Sequence, residues 1–388
     1  YNNYYQPPSA LHEPFKSLLE NNPAVGLRLI RNLSNYATEG WKQLHVMRKR
    51  ELGTPIPVSI EFPWGKQEFW GDWRVYSWGQ GQLAPTALEC AFLALTYWAF
   101  KQVDGSRPTS DVIKDFVEGN KCLAVLGIAL DLTLESWATT ETTLPLAACQ
   151  RIWAFDRARH SQESSKNIDL LGYGFLSRLH GEQAAAKTYL DERKYRKRNV
   201  IQLAMVFALN EDEALRNKFK GALAQFPNDL PYEKEEDKID QGTTNYLKED
   251  AEGWAGLGDQ ANYKQSPYDE NRFAITYDRP NPLTPAQEKR LEKSTKVLQG
   301  FSIAGWAGQS LNTNKLEEGM TLDDAVSHVK GFDTGAAFDF RDDMASSLPS
   351  VAASVAACVI RFSPPESADR PWAWGVLARI ETMLENPE

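Results

Sequence analysis

Glu61 and Asp72 are the residues whose type and setting come closest to a reacting pair. They flank a run of aromatic side chains, Trp64, Phe69, Trp70, Trp73, Tyr76 and Trp78. Two carboxylates beside a stacking platform for sugars or bases would suit acid/base hydrolysis of a glycan. The plainer reading is that the hairpin packs its Trp face onto neighbouring helices, because aromatic rings dominate core burial. Rings left exposed would mark a partner surface instead. The binding residues expected from this cluster are Trp64, Trp70, Trp73, Arg74 and Trp78.

A second charged feature is the basic run around Tyr195. Arg193, Lys194, Arg196 and Lys197 could meet a phosphate backbone. Asp191 and Glu192 precede them, and such runs are more often one solvated face of a helix.

The remaining motifs carry little chemistry. Gly79-Gln80-Gly81-Gln82-Leu83-Ala84 has the letters of a dinucleotide fingerprint, but an aromatic hairpin precedes it and Pro85 follows, so a glycine turn is expected. Gly256 to Ala261 matches with no strand before it. No GxxxxGK[ST] loop is present, and Gly308-Gln309-Ser310-Leu311-Asn312 lacks the second glycine of a nucleophile elbow. His12, His45, His160, His180 and His328 lie at no metal-ligand spacing from one another or from a cysteine. Cys90, Cys122, Cys149 and Cys358 each sit in an apolar run, as core thiols of a reducing compartment do. The sequence therefore assigns no catalytic residue, no metal ligand and no cofactor site.

The elements that would position these residues are mostly helices. Pro14 and Pro23 open two of them, and Leu27, Ile30, Leu33, Ala37, Trp41 and Leu44 give the second a core face of helical period. Gly53 ends it, with Arg48, Lys49 and Arg50 in the last turn. Between Thr54 and Trp78 alternation takes over, and Val58, Ile60 and Phe62 against Ser59 and Glu61 predict a hairpin or small sheet. Helices resume at Pro85, and Cys122 to Trp137 is apolar all round, the mark of a helix buried among others.

Further on, a polar loop is expected at His160 to Lys166 and a helix at Leu170 to Leu179. Residues 227–285 include a charge run from Glu233 to Lys238 and read as an irregular boundary region. Helices return from Pro285, with a Gly-rich break, a Thr321–Asp324 cap, and segments at Leu348 to Phe362 and Pro371 to Leu384. The expected architecture is mainly α, a helical-repeat, solenoid-like array with a small inserted β-hairpin. Its divisions are 1–53, 54–82, 83–226, 227–285 and 286–388.

The 388 residues carry 43 basic and 52 acidic side chains, a net charge of −9, which disfavours nucleic acid as a partner. No apolar stretch is long enough to span a bilayer and no signal segment opens the chain, so a cytoplasmic location is expected. The chain starts at Tyr1 and stops at Glu388 just after an amphipathic segment, which reads as a piece of a longer protein.

Two stretches support a family resemblance. Ala87-Leu88-Glu89-Cys90-Ala91-Phe92-Leu93-Ala94-Leu95-Thr96-Tyr97-Trp98, followed after a loop by Val117 to Gly127, resembles the helical region of large bacterial STAND-like or AAA-like P-loop NTPases, many linked to phage defence. The Pro23 to Trp41 helix and the Trp-rich segment are similar to theirs too, so the resemblance covers roughly residues 1–160. It implies a helical scaffold or sensor for protein interaction, with ATP bound elsewhere in a parent protein. Its partners would be other domains of that parent, a separate protein or further copies. The competing expectation is an all-α carbohydrate-active enzyme using Glu61 and Asp72.

Overall fold

A computed structural model describes residues 5, 7–165, 181–235, 241–267, 273–330 and 348–385. The chain is mainly helical, with two small antiparallel hairpins among the described residues. It divides into two compact units, one within 1–160 and 175–280, the other within 161–174 and 281–388. The helix expected at Leu170 to Leu179 lies outside the described residues, as does the charge run beyond Glu235.

The first unit opens with α1 (Phe15–Asn21), α2 (Pro23–Met47) and the single turn α3 (Lys49–Leu52). Asn22 caps α2 by accepting from the Val25 amide. The chain breaks at Arg48 and turns again, so the cations expected in one last turn straddle two helices, and Gly53 ends α3 at φ +70°. Strands β1 (Val58–Phe62) and β2 (Gly65–Phe69) pair antiparallel, Val58 opposite Phe69 and Phe62 opposite Gly65. Val58, Ile60 and Phe62 point inward while Ser59 and Glu61 are exposed, as the alternation predicts.

The next segment differs from the sequence expectation. Trp73–Trp78 is a helix, α4, and not a strand. The reason is Asp72, whose carboxylate accepts from the Arg74 and Val75 amides at 3.0 and 3.1 Å. That cap outweighs the β-propensity of the aromatic run.

Helices α5 (Thr86–Asp104), α6 (Thr109–Val117) and α7 (Ala124–Ser136) follow. Every residue of α7 from Ala124 to Leu134 is buried, as its all-round apolarity demands. Next come α8 (Leu144–Ala147) and α9 (Gln150–Ser165), which belongs to this unit as far as His160. The helix runs on to Ser165 where a polar loop is expected from His160, because a polar surface turn of helix carries the same letters as a loop.

Then come α10 (Gly181–Asp191), α11 (Val200–Ala208) and α12 (Glu213–Leu223). The stretch read as irregular contains a full helix, α13 (Gln241–Ala255), and a hairpin of β3 (Tyr263–Pro267) with β4 (Phe273–Tyr277). Trp254 ties α13 to the core, 5.5 Å from the Trp153 ring.

The second unit holds α14 (Pro285–Thr313), α15 (Leu322–Lys330), α16 (Leu348–Phe362) and α17 (Arg370–Glu385). Thr284 and Gln287 form a capping box at the start of α14. Gly300, Gly305 and Gly308 lie inside that helix rather than breaking it. Its core is rich in Ala and Val, with Ala304, Ala307, Ala356 and Val359 buried, which lets the helices approach closely. No helix among the described residues is long and apolar enough to cross a membrane.

Candidate functional site

Helix α2 buries part of its expected face, Ile30 in the core with Leu27, Ala37 and Trp41 packed against it, but is rotated so that the outer leucines stay accessible. Gly26, Ile30, Ser34, Thr38 and His45 are buried, whereas Leu33 and Leu44 are 37% and 43% exposed. Two causes turn the helix. A Cβ on Gly26 would come within 3.0 Å of the Leu18 and Leu19 backbone, so α1 approaches at the glycine. Ser34 and Thr38 also satisfy their hydroxyls inside: Ser34 donates to the Arg31 carbonyl, Thr38 to the Ser34 carbonyl at 2.8 Å. The outward side then carries Tyr36, Val46 and Met47, 83%, 76% and 83% exposed.

Beside that side lies a cleft of about 660 Å³ between α2, the β1–β2 hairpin and the α6–α7 connection. Trp64 and Trp70 flank it, both half-buried. Trp64 stacks on Phe62 with centroids 4.5 Å apart. Trp70 is locked by its backbone: its amide donates to the Lys121 carbonyl at 2.8 Å, and its carbonyl accepts from the Leu123 amide at 3.1 Å. The ammonium of Lys42 sits 4.2 Å over the Trp70 ring and 3.5 Å from Glu39.

The floor is clamped to α2. Asn35 accepts from the Lys121 amide at 2.7 Å and donates to the Gly119 carbonyl at 3.2 Å. Arg31 donates to the Glu118 carbonyl at 2.9 Å. Asn120 accepts from Ser34 and from the Cys122 amide. Gly119 takes φ +76°, which a side chain would strain. Five charged groups rim the space: Glu39, Glu68 and Glu118 against Lys42 and Lys121.

Among its described lining residues there is no His, Cys or Ser. Two aromatic faces, amides and mixed charges suit binding of a chain segment with apolar and polar groups side by side.

The expected site residues separate. Trp64 and Trp70 line the cleft, but Trp73 and Arg74 do not; Trp73 is 44% exposed on α4 with the Arg74 guanidinium 5.5 Å from its ring. Trp78 is a core side chain, its indole donating to the Leu83 carbonyl at 3.1 Å. Glu61 is exposed on β1 and Asp72 is the buried cap of α4; neither lines the cleft.

The arginines of the basic run are used internally. Arg193 pairs with Asp104 and Glu135 and lies 4.0 Å over Tyr189. Arg196 pairs with Asp191 at 3.0 Å and donates to the Leu190 carbonyl. Arg198 donates to the Leu134 and Glu135 carbonyls, closing the end of α7. Lys194 and Lys197 remain exposed.

Sequence reasoning missed Asn35, Lys42, Asn120 and Gln67, which lines the cleft and donates to the Val117 carbonyl at 3.2 Å. The one signal was the Glu118-Gly119-Asn120 turn; contacts across more than 80 residues, such as Asn35 with Lys121, leave no local pattern. Among the described residues, no group of His, Cys, Asp and Glu is arranged to hold a metal ion. No protein-family model matches the chain, and no curated protein matches it.

Proposed function

We propose that this chain is a partner-binding helical module, which takes a protein segment along the outer side of α2 and into the Trp64–Trp70 cleft. One observation carries the reading: α2 turns Ser34, Thr38 and His45 inward while Leu33, Tyr36, Leu44 and Met47 stay accessible. Burying small polar groups and leaving large apolar ones in water costs free energy that a bound partner recovers. The rigid floor under Trp70 keeps the cleft formed before binding, which lowers the ordering cost.

The sequence resemblance of residues 1–160 to helical regions of STAND-like NTPases supports a sensor role within a larger, cytoplasmic protein. In that role, partner binding at α2 biases a distant nucleotide-hydrolysing domain. In this reading the chain supplies the docking surface.

Site-specific photo-crosslinking tests the reading. A photoreactive residue at Tyr36 of the full-length protein in its native cells should capture one recurrent protein. The same residue at Lys218, exposed on α12, serves as the control. Identical adducts from both positions, or none from Tyr36, would reject the proposal. ATP turnover of the purified parent, raised or lowered by the captured partner, tests the sensor half separately.

A further inference from the structure

The far end of α2 opens into a second groove of about 740 Å³. Arg48, Lys49, Arg50 and Lys234 line it against a single carboxylate, Glu51, which is itself paired with Arg48. In a chain with a net charge of −9, four cations around one groove are a local reversal of sign.

Helix-dipole compensation explains cations after α2, but not Lys234. That residue comes from a remote segment and is held there by backbone pairing. The Ile56 amide donates to the Glu233 carbonyl and the Glu235 amide to the Thr54 carbonyl, both at 3.0 Å, which sets Lys234 opposite Pro55. The exposed side chain of Met47 also lines the groove.

We infer that this groove docks an acidic peptide segment of a partner protein, with apolar residues interleaved among its carboxylates. The carboxylates answer the groove's excess of positive charge, which Arg50 and Lys234 bring from two separate segments, and the apolar residues cover Met47. Charge complementarity of this kind speeds encounter and fixes the register of binding. A nucleic acid fits less well, since a phosphate backbone leaves Met47 uncovered and the acidic chain repels a long polyanion. The inference rests on charge and on Lys234, and it stands whether or not the Trp cleft binds anything.

The test is fluorescence anisotropy with a short fluorescein-labelled peptide alternating Glu and Leu. Its Gln-for-Glu counterpart, an oligo-dT strand and phosphatidylserine vesicles are measured alongside. The Glu/Leu peptide should bind saturably, and the Gln/Leu peptide should not. The double variant Arg50→Glu, Lys234→Glu should weaken binding by about tenfold or more. Arg50 is exposed and Lys234 only half-buried, so the variant should keep its circular dichroism spectrum. Trp70→Ala should bind the peptide as the unaltered protein does, which separates this surface from the cleft. Absence of saturable peptide binding, unchanged affinity in the double variant, or tighter binding of the oligo-dT or the vesicles would each overturn the inference.

Discussion

Arg159 and Asp156 form an ion pair, Nε to Oδ1 2.7 Å, with side chains only 2% and 0% exposed. Asp131 lies 3.8 Å from the same guanidinium. The remaining donors of Arg159 reach the carbonyls of Tyr195 and Arg198, and the second Asp156 oxygen accepts from the Val200 amide at 2.8 Å. One arginine therefore joins α7, α9 and the start of α11. Burial works against its charge, but Asp156 and Asp131 overcome that and keep it fully protonated.

Removing Arg159 strands two buried carboxylates, and breaking such a pair from one side costs about 3–5 kcal/mol. Arg159→Met should lower stability by that order in urea denaturation. A loss below about 1 kcal/mol, the scale of an exposed pair, would contradict the burial of this cluster.

A milder, pH-dependent contribution comes from Asp104. Hydrogen bonds from Arg193, and then from Tyr189, hold its carboxyl below the ordinary 3.8, against a desolvation effect of opposite sign. A depressed folded-state value stabilises the fold above the unfolded value, and that stability is lost as pH falls through the folded one. Asp104→Asn should therefore be less stable than the unaltered protein at about pH 6, with the gap closing towards about pH 3. A gap that stays constant across this range would show that the carboxylate charge contributes nothing. Asp104 is partly exposed, so the effect should also shrink in high salt.

How far the sequence could be read depended on whether the deciding contact was local. Helix α7 is legible because its burial on every side is written in its own residues. The β1 alternation is legible for the same reason. Helix α4 was not, because aromatic density outvoted the single cap residue Asp72. In α2 the apolar period placed Ile30, Leu27, Ala37 and Trp41 on the core side, but not the exposure of Leu33 and Leu44, since the helix rotation is set by Gly26 against α1 and by Ser34 against Asn120. Helix α13 escaped notice because its sequence is mostly polar and Gly-containing, with Ala251 and Trp254 among its few apolar anchors. Of the cleft, the sequence offered Trp64 and Trp70 but neither the Asn35 clamp nor Lys42, all set by pairing between distant segments.

The cysteines are predicted to be inert in the folded protein. Burial pushes the thiols of Cys90 and Cys122 up to about 11 and that of Cys358 up to about 12, and it raises Cys149 as well. Only the thiolate reacts with a disulfide reagent. At about pH 8 the native protein should react slowly with Ellman's reagent, while urea should release all four thiols. Fast, stoichiometric reaction of one thiol in the native state would show that its surroundings are not packed as described.

Gly71 joins the hairpin to α4, and its position admits no side chain. It takes φ +152°, and a Cβ there would lie 2.6 Å from Val75 and 2.9 Å from Leu123. Neither neighbour can move cheaply: Val75 lies in the first turn of α4 and Leu123 immediately precedes α7, and both are fully buried. Gly71→Ala should thus combine backbone strain with overpacking and cost about 1–3 kcal/mol. It should also disturb the Trp70 backbone next to it, and with it the bonds from Trp70 to Lys121 and Leu123. Thermal denaturation reads the stability loss, and Trp fluorescence reads the environment of Trp70. If Gly71→Ala melts with the unaltered protein, the close approach of α4 and α7 at this point is wrong. If it melts lower but keeps its Trp emission, the strain is absorbed within α4 and does not reach the cleft.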